Sequence, residues 1–397
     1  MKSKFKIIIA FILFHNFSFS QPKDTIYGKL KSIREELVFL DNNRQNRKLF
    51  SSEGDYGHYG FSSEEHTIER FYSWWYQTFW VHYINYFKEF DVNGNLLKVF
   101  WFNKDQHIFS SFENKYNVHN KLINQEFIQG IKCNVIYEYD ADNNLIFLKS
   151  VDSVKNTVTI KKKYNKNNQI IKVKRYSSGN PKVKSKEEYY YDNSSNLIVL
   201  KKFDEYGESF GTKFEYDLKN RKTKIIDHYP YINVKTKIGI THKRTKKGND
   251  VISKEFKYDD KDRLIVTKFY CTDYNSKNIG LLVSKQVKIY DNDLLKYIYD
   301  YNNKDSITGY IKYEFDNLNR KTKEFRISLQ YPNNNLTLEY FYSNTEYPIK
   351  LIYTNTKISV QVDFDYVFDE KNNWVEQTKS VDCKKLYVWK RKLKYFD

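Results

Sequence analysis

Along most of the chain apolar and polar side chains alternate with a period of two, as in Ile171, Val173 and Arg175 against Lys172, Lys174 and Tyr176. That period suits a strand with two unlike faces and fits a helix poorly. A motif punctuates the alternation: aromatic, any residue, aromatic, Asp or Asn, a short polar stretch, then an aliphatic residue that opens the next strand. Its plainest copy is Tyr137, Tyr139, Asp140, Asn144 and Leu145. Others are Tyr189, Tyr191, Asp192 with Asn196 and Leu197; Phe214, Tyr216, Asp217 with Arg221; Phe256, Tyr258, Asp259 with Arg263 and Leu264; and Tyr313, Phe315, Asp316 with Arg320. Looser copies centre on Asp91, Asn117, Asn165, Asp291 and the Phe368, Asp369 pair, and Tyr340, Tyr342, Ser343 is a degenerate one.

Two aromatics two residues apart share one face of a strand, and the polar stretch behind them reverses the chain, so each copy predicts a hairpin. The Asp or Asn is explained locally, as an acceptor for amides of its own turn. Most copies lie about 25 residues apart, inside the window that marks repeat architectures. Longer intervals follow Asp217 and Asp259, where the reading is a decayed copy or an inserted loop such as 241–250. The expected fold is all-β: an extended antiparallel sheet of repeated hairpins, twisted or coiled into a ribbon, spiral or partly closed shell, with a short helical N-terminal cap.

Three segments are expected. Residues 1–20 read as a signal peptide, with Lys2, Lys4 and Lys6 before the apolar run from Ile7 to Phe14 and cleavage after Ser20. Residues 21–84 hold a first strand at 29–40 and an amphipathic helix. That helix starts at a Ser62–Glu65 capping box, carries Ile68, Phe71, Tyr72 and Trp75 at helical spacing, and would cover the open edge of the sheet. Residues 85–397 hold the array.

Composition supports this reading. Aromatics make up 18% of the chain, with 36 Tyr and 29 Phe, and Gly and Pro are scarce at 13 and 5, which leaves the turns to Asn and Asp. Losing the leader lowers the formal charge from +18 to +15. The basic residues are spread among acids, so solvated strand faces and edges explain them better than a polyanion partner, and nucleic acid ranks last. Cys133, Cys271 and Cys383 have no paired spacing and suggest neither a zinc site nor a disulfide framework. No later segment approaches the ~20 apolar residues of a transmembrane helix.

The motif resembles the YD repeat of RHS-type proteins, whose unit runs aromatic, x, aromatic, Asp, two residues, Gly, Arg or Asn, Leu. The copies from Tyr137 to Leu145, Tyr189 to Leu197, Phe256 to Leu264 and Phe368 to Trp374 match it, and the array covers roughly residues 86–397. The central Gly is mostly replaced by Asn, Asp or Lys, with Gly94 an exception. In that family large members spiral their repeats into a toxin-enclosing shell, and some repeats are described as carbohydrate-binding. No Pro follows an Asp here, so the Asp-Pro-x-Gly stretch of the self-cleaving core is missing, and no toxin domain is expected beyond the array. The chain is similar to small exported YD-repeat proteins of Bacteroidetes type, a resemblance that implies a fold and no established activity.

Candidate sites are few. Trp74, Trp75, Trp80 and Tyr83 belong to the densest aromatic cluster, which reads either as a ligand platform or as a hydrophobic seam. His58, His66 and His82 match no metal-ligand spacing, and a calcium reading of Asp140, Asp142 and Asn144 lacks enough oxygens. No nucleophile elbow, phosphate loop or zinc-protease helix occurs, so no catalytic residue, metal or cofactor is assigned. The expected function is a non-enzymatic binding or structural protein of the periplasm or cell exterior, with a polysaccharide or an envelope protein as partner. The alternatives are a reduced RHS-like component of bacterial antagonism and, further off, an envelope hydrolase.

Overall fold

A computed structural model describes residues 25–40, 71–74, 84–102, 106–178, 180–236, 239–273 and 276–397. The expected leader lies outside them, as does most of the expected helix. Among the described residues there are twenty-four strands. The first seven are β1 (Leu30–Phe39), β2 (Asn85–Phe90), β3 (Leu96–Phe102), β4 (Ile108–Tyr116), β5 (Leu122–Gln129), β6 (Ile131–Tyr139) and β7 (Leu145–Asp152). Then come β8 (Thr157–Tyr164), β9 (Ile170–Ser177), β10 (Asn180–Tyr191), β11 (Leu197–Asp204), β12 (Gly207–Tyr216), β13 (Lys222–Thr236), β14 (Gly239–Tyr258), β15 (Leu264–Tyr270) and β16 (Leu282–Asp291). The last eight are β17 (Leu294–Asn302), β18 (Ile307–Phe315), β19 (Lys321–Ser328), β20 (Leu336–Tyr342), β21 (Pro348–Asn355), β22 (Ser359–Phe368), β23 (Trp374–Val381) and β24 (Lys384–Tyr395).

Each strand pairs antiparallel with the next, and β24 pairs with β1 from Leu30↔Tyr395 to Phe39↔Tyr387. The sheet is therefore a closed up-and-down barrel. This corrects the expected open, coiled sheet: β1 is bonded on both sides, by β24 and by β2, so no first edge is left for a helical cap to cover. Closure satisfies the backbone groups that an edge strand would leave unpaired.

In such a meander alternate connections fall on opposite rims. The turns of all the copies named above fall on one. In these, Asp291 and Ser343 excepted, the Asp or Asn carbonyl receives the N–H three residues on, as Asn143 N to Asp140 O at 3.0 Å, and its own N–H reaches the carbonyl four residues on, as Asp140 N to Asn144 O at 3.0 Å. The residue three after the Asp takes a left-handed backbone: φ is 63° at Asn143, 59° at Asn168, 70° at Ser195, 61° at Asn220 and 82° at Gly94. This is the position of the family's glycine. Asn and Asp tolerate that region, which explains the substitution without loss of the turn.

One face of the sheet is consistently the better buried. Across β3–β19 the buried side chains Val99, Ser110, Cys133, Val135, Val173, Val251, Thr267, Tyr313 and Glu324 all lie on the face that carries the motif tyrosines. Side chains on the concave side of a closed sheet converge, so this is the inner wall. A ring of 24 strands at ~4.8 Å spacing has a circumference of ~115 Å, too wide for side chains to meet across the middle. Among the described residues the packed core lies along one arc, where β20–β24, β1 and β2 share Leu37, Leu351, Val362, Phe364, Trp374, Tyr387 and Trp389.

Candidate functional site

The inner wall divides into a filled arc and a polar arc. In the filled arc residues 71–74, which belong to the connection between β1 and β2, lie against the inner wall: Phe71, wholly buried, packs on Phe364 and Trp389 at centroid distances of 5.9 and 5.4 Å. Trp74 stacks on Tyr353 at 4.3 Å. Of the four platform residues only Trp74 is described. Trp75, Trp80 and Tyr83 lie outside the described residues, as do His58, His66 and His82.

Behind this plug the wall is charged. Glu35 and Arg391 face each other across the closing β1–β24 seam, both nearly inaccessible, with Arg391 Nε donating to Glu35 Oε1 at 2.7 Å. Trp389 Nε1 donates to the other carboxylate oxygen at 2.9 Å, and the guanidinium lies 3.4 Å from the centroid of Trp374. Lys379 is fully buried and donates to the Ser73 carbonyl at 2.9 Å, tying plug to wall. Burial brings its ammonium pKa down to about 7.

The motif residues are occupied in holding the ring together. The second aromatic of a unit, where it is tyrosine, donates to the carbonyl that opens the previous unit's return strand: Tyr139 to Leu122, Tyr164 to Leu145, Tyr191 to Ile170, Tyr216 to Leu197 and Tyr258 to Lys222, all at 2.8–3.0 Å. Burial pushes these phenols above their usual range, so they remain donors. The first aromatics face inward too: Tyr189 donates to Glu187 at 2.6 Å and Tyr137 reaches Gln125 at 3.4 Å. Phe315 and Phe368 have no hydroxyl to give, and near the latter Tyr366 bonds the Pro348 carbonyl instead, at 2.8 Å. The carboxylates of Asp140, Asp192, Asp217, Asp259, Asp316 and Asp369 each accept amides two and four residues on.

A further tie was not read from the sequence. The residue four after the Asp reaches sideways to the next turn, as Asn144 to Asn168 at 3.0 Å, Asn196 to Asn220 at 2.9 Å and Arg263 to Asp293 at 3.1 Å. Its only trace in the sequence is the recurrence of Asn or Arg there. Among the described residues no group of three His, Cys, Asp or Glu is arranged to hold a metal, and the three cysteines are unpaired.

Across the polar arc the inner wall carries Lys162, Arg175, Glu187, Asp227, Lys288 and Asp300, all half-exposed. Burial lowers the pKa of Lys162 and Lys288 and raises that of Asp227. The outer wall is also charged, with cross-strand pairs such as Lys224–Glu215 at 2.9 Å, Lys268–Glu255 at 3.4 Å and Lys323–Glu339 at 3.2 Å. No helix among the described residues is long and apolar enough to cross a membrane. A barrel can cross with strands, but it needs a continuous apolar band facing lipid, and ion pairs at mid-strand interrupt either wall here.

The fold and wall thus define a class: a closed shell of antiparallel hairpin repeats, plugged along one arc. No family model matches the chain, and no curated protein does. Among solved structures it is similar to TcdB2-TccC3-Cdc42 over 77% of its length, at 8% identity and a TM-score of 0.31, and to TcdB2-TccC3-TEV over 90%, at 10% and 0.25. The chain spans about a fifth of those chains, 19% and 20%. It is also similar to a porin-like protein from Bacteroides uniformis, over 72% of this chain and 97% of that one, at 8% identity and a TM-score of 0.22. Likeness at these scores assigns neither a family nor an activity.

Proposed function

We propose that the protein is an exported, non-enzymatic binding or structural shell of the cell envelope, whose polar inner arc receives a hydroxyl-rich guest such as a carbohydrate. One observation carries this reading. The sheet closes on itself, its own chain fills one arc, and the opposite arc presents half-exposed tyrosine, lysine and carboxylate groups to the lumen. Mixed donors and acceptors on a preformed concave wall suit a polyhydroxylated ligand, because sugar hydroxyls need both. The motif tyrosines and aspartates are committed to interstrand and turn bonds, which supports a scaffold over a catalyst.

The test is binding of neutral glucan and peptidoglycan fragments, followed by calorimetry, to the native chain and to a Lys162→Glu, Lys288→Glu variant. Binding that the inner-wall changes weaken at least tenfold supports the proposal. Turnover of either polymer, or affinity indifferent to those changes, overturns it.

A further inference from the structure

Elsewhere on the outer wall lysines meet acids: Lys98 stands opposite Glu113, Lys224 and Lys268 flank Glu255, and Lys285, though opposite Lys268, bonds Asp305. Strands β8–β10 break that rule. Their outward positions carry Lys161, Lys163, Lys172, Lys174, Lys184 and Lys186 against a single acid, Glu188. Lys161 is paired in register with Lys174, and Lys174 with Lys186, so three ammonium groups stand side by side. The row is framed by Phe147 opposite Lys161 and Phe203 opposite Lys186, and beyond these by Glu138 and Glu208.

Like charges directly opposite on adjacent strands destabilise a sheet. The sequence could have relieved them, as it does elsewhere on the same wall. Glu188 offsets the row in part: it bonds Lys172 at 2.9 Å and Lys186 at 3.1 Å. Although burial works the other way, bonds from Lys172, Lys186 and Tyr190 hold its carboxyl down at about 2. Lys161, Lys163, Lys174 and Lys184 make no ion pair among the described residues.

We infer that the outer face of β8–β10 is a second binding site, for an anionic polysaccharide. The array repeats at ~4.8 Å across strands and ~6.8 Å along them, so an extended polymer lying on it meets several cations at once. Thr159 and Tyr176, paired in register on the same face, set hydroxyls beside the ammonium groups, which suits a chain carrying both acidic groups and hydroxyls. Single-stranded nucleic acid fits less well, because it stacks its bases on free aromatic faces, and here Lys186 Nζ covers Phe203 at 3.7 Å from the ring centroid while the hydroxyl of the exposed Tyr190 is held by Glu188. A bilayer fits less well, because among the described residues the outer face of β8–β10 exposes Tyr190 but no large aliphatic side chain to insert. The site is on the opposite face of the sheet from the proposed lumen and does not depend on it.

The experiment measures binding of polygalacturonate, neutral dextran, duplex DNA and phosphatidylserine vesicles to the full chain at 50 and 200 mM NaCl. The variants are Lys161→Gln, Lys174→Gln, Lys186→Gln combined and, as a control for general charge loss, Lys224→Gln, Lys268→Gln combined; melting curves verify folding. The expected result is polygalacturonate binding that salt weakens, that the triple variant loses on the order of 100-fold at about fivefold per lysine, and that the control changes less than about threefold. The triple variant should melt close to the native chain, since the repulsion it removes offsets the exposed Lys186–Glu188 pair it loses. No binding of polygalacturonate at 50 mM NaCl, equal loss in both variants, or affinity for DNA or vesicles at least as high would overturn the inference. Loss of glucan binding in the inner-wall variant with polygalacturonate binding intact would separate the two sites.

Discussion

The two arcs of the barrel are built from the same hairpin unit and are held together differently. From β20 through β24 to β2 the inner wall is packed against Phe71, Tyr72 and Trp74, and large side chains such as Trp389, Tyr387 and Phe71 are sealed from water. From β3 to β19, among the described residues, the sheet is one layer thick, with few buried side chains, and its cohesion rests on backbone ladders, tyrosine hydroxyl ties and the sideways bonds along one rim. One arc behaves as an ordinary core and the other as a wall. Substitutions of the same type should therefore cost different amounts in the two.

The largest contrast concerns charge. Glu35→Ala leaves Arg391 buried without its carboxylate and should cost about 3–5 kcal/mol in chemical denaturation. Glu215→Ala, which breaks an exposed pair with Lys224 on the wall arc, should cost about 0–1 kcal/mol. Equal losses would contradict the division into two arcs.

The next concerns pH. Lys379 has a pKa of about 7 folded and 10.5 as its ordinary value, so between these the unfolded chain binds the extra proton. Stability should then rise with pH across that window, by up to about 1.4 kcal/mol per unit, and Lys379→Met should flatten the rise. The rim carboxylates act at the other end. Side-chain bonds from Asn196 and Arg221 lower the pKa of Asp192 and Asp217, so what they contribute is complete above about pH 4 and is lost on further acidification. Urea melts at several pH values would show both.

Smaller effects should sharpen the description of the wall arc. Tyr191→Phe removes the hydroxyl tie to the Ile170 carbonyl and should cost about 1 kcal/mol. Lys155 holds a φ of 67° in the turn between β7 and β8, with no side-chain amide to ease that conformation. Lys155→Gly should raise the melting midpoint by a degree or two, corresponding to a gain of roughly 0.5–1 kcal/mol.

What could be read in the sequence was local. The aromatic spacing of Tyr189 and Tyr191 fixes a shared face, and Asp192 with Asn196 writes its own turn, so hairpins were legible one by one. Closure was not, because it depends on Glu35 finding Arg391 across the whole array, and neither residue carries a nearby pattern that announces the other. The lysine row was legible in part: residues 153–186 contain no Asp or Glu, but which of their lysines become neighbours is decided only when three strands settle into register. Trp74 stood out as an aromatic, yet nothing around it indicated that Tyr353 would be its partner. The opposite rim was missed for another reason: Asp152 makes the same amide-capped turn without paired aromatics, while Tyr299, Tyr301 and Asn302 repeat the motif there and were passed over.

The seam has a temporal consequence. Glu35 and Arg391 are separated by 356 positions, so the strand made first must wait for the strand made last before either is complete on both sides. Until then the growing ring has two loose ends, each able to recruit a stray strand from another molecule. A charged, tightly specified clasp at that junction gives the nascent chain a way to recognise its own far end.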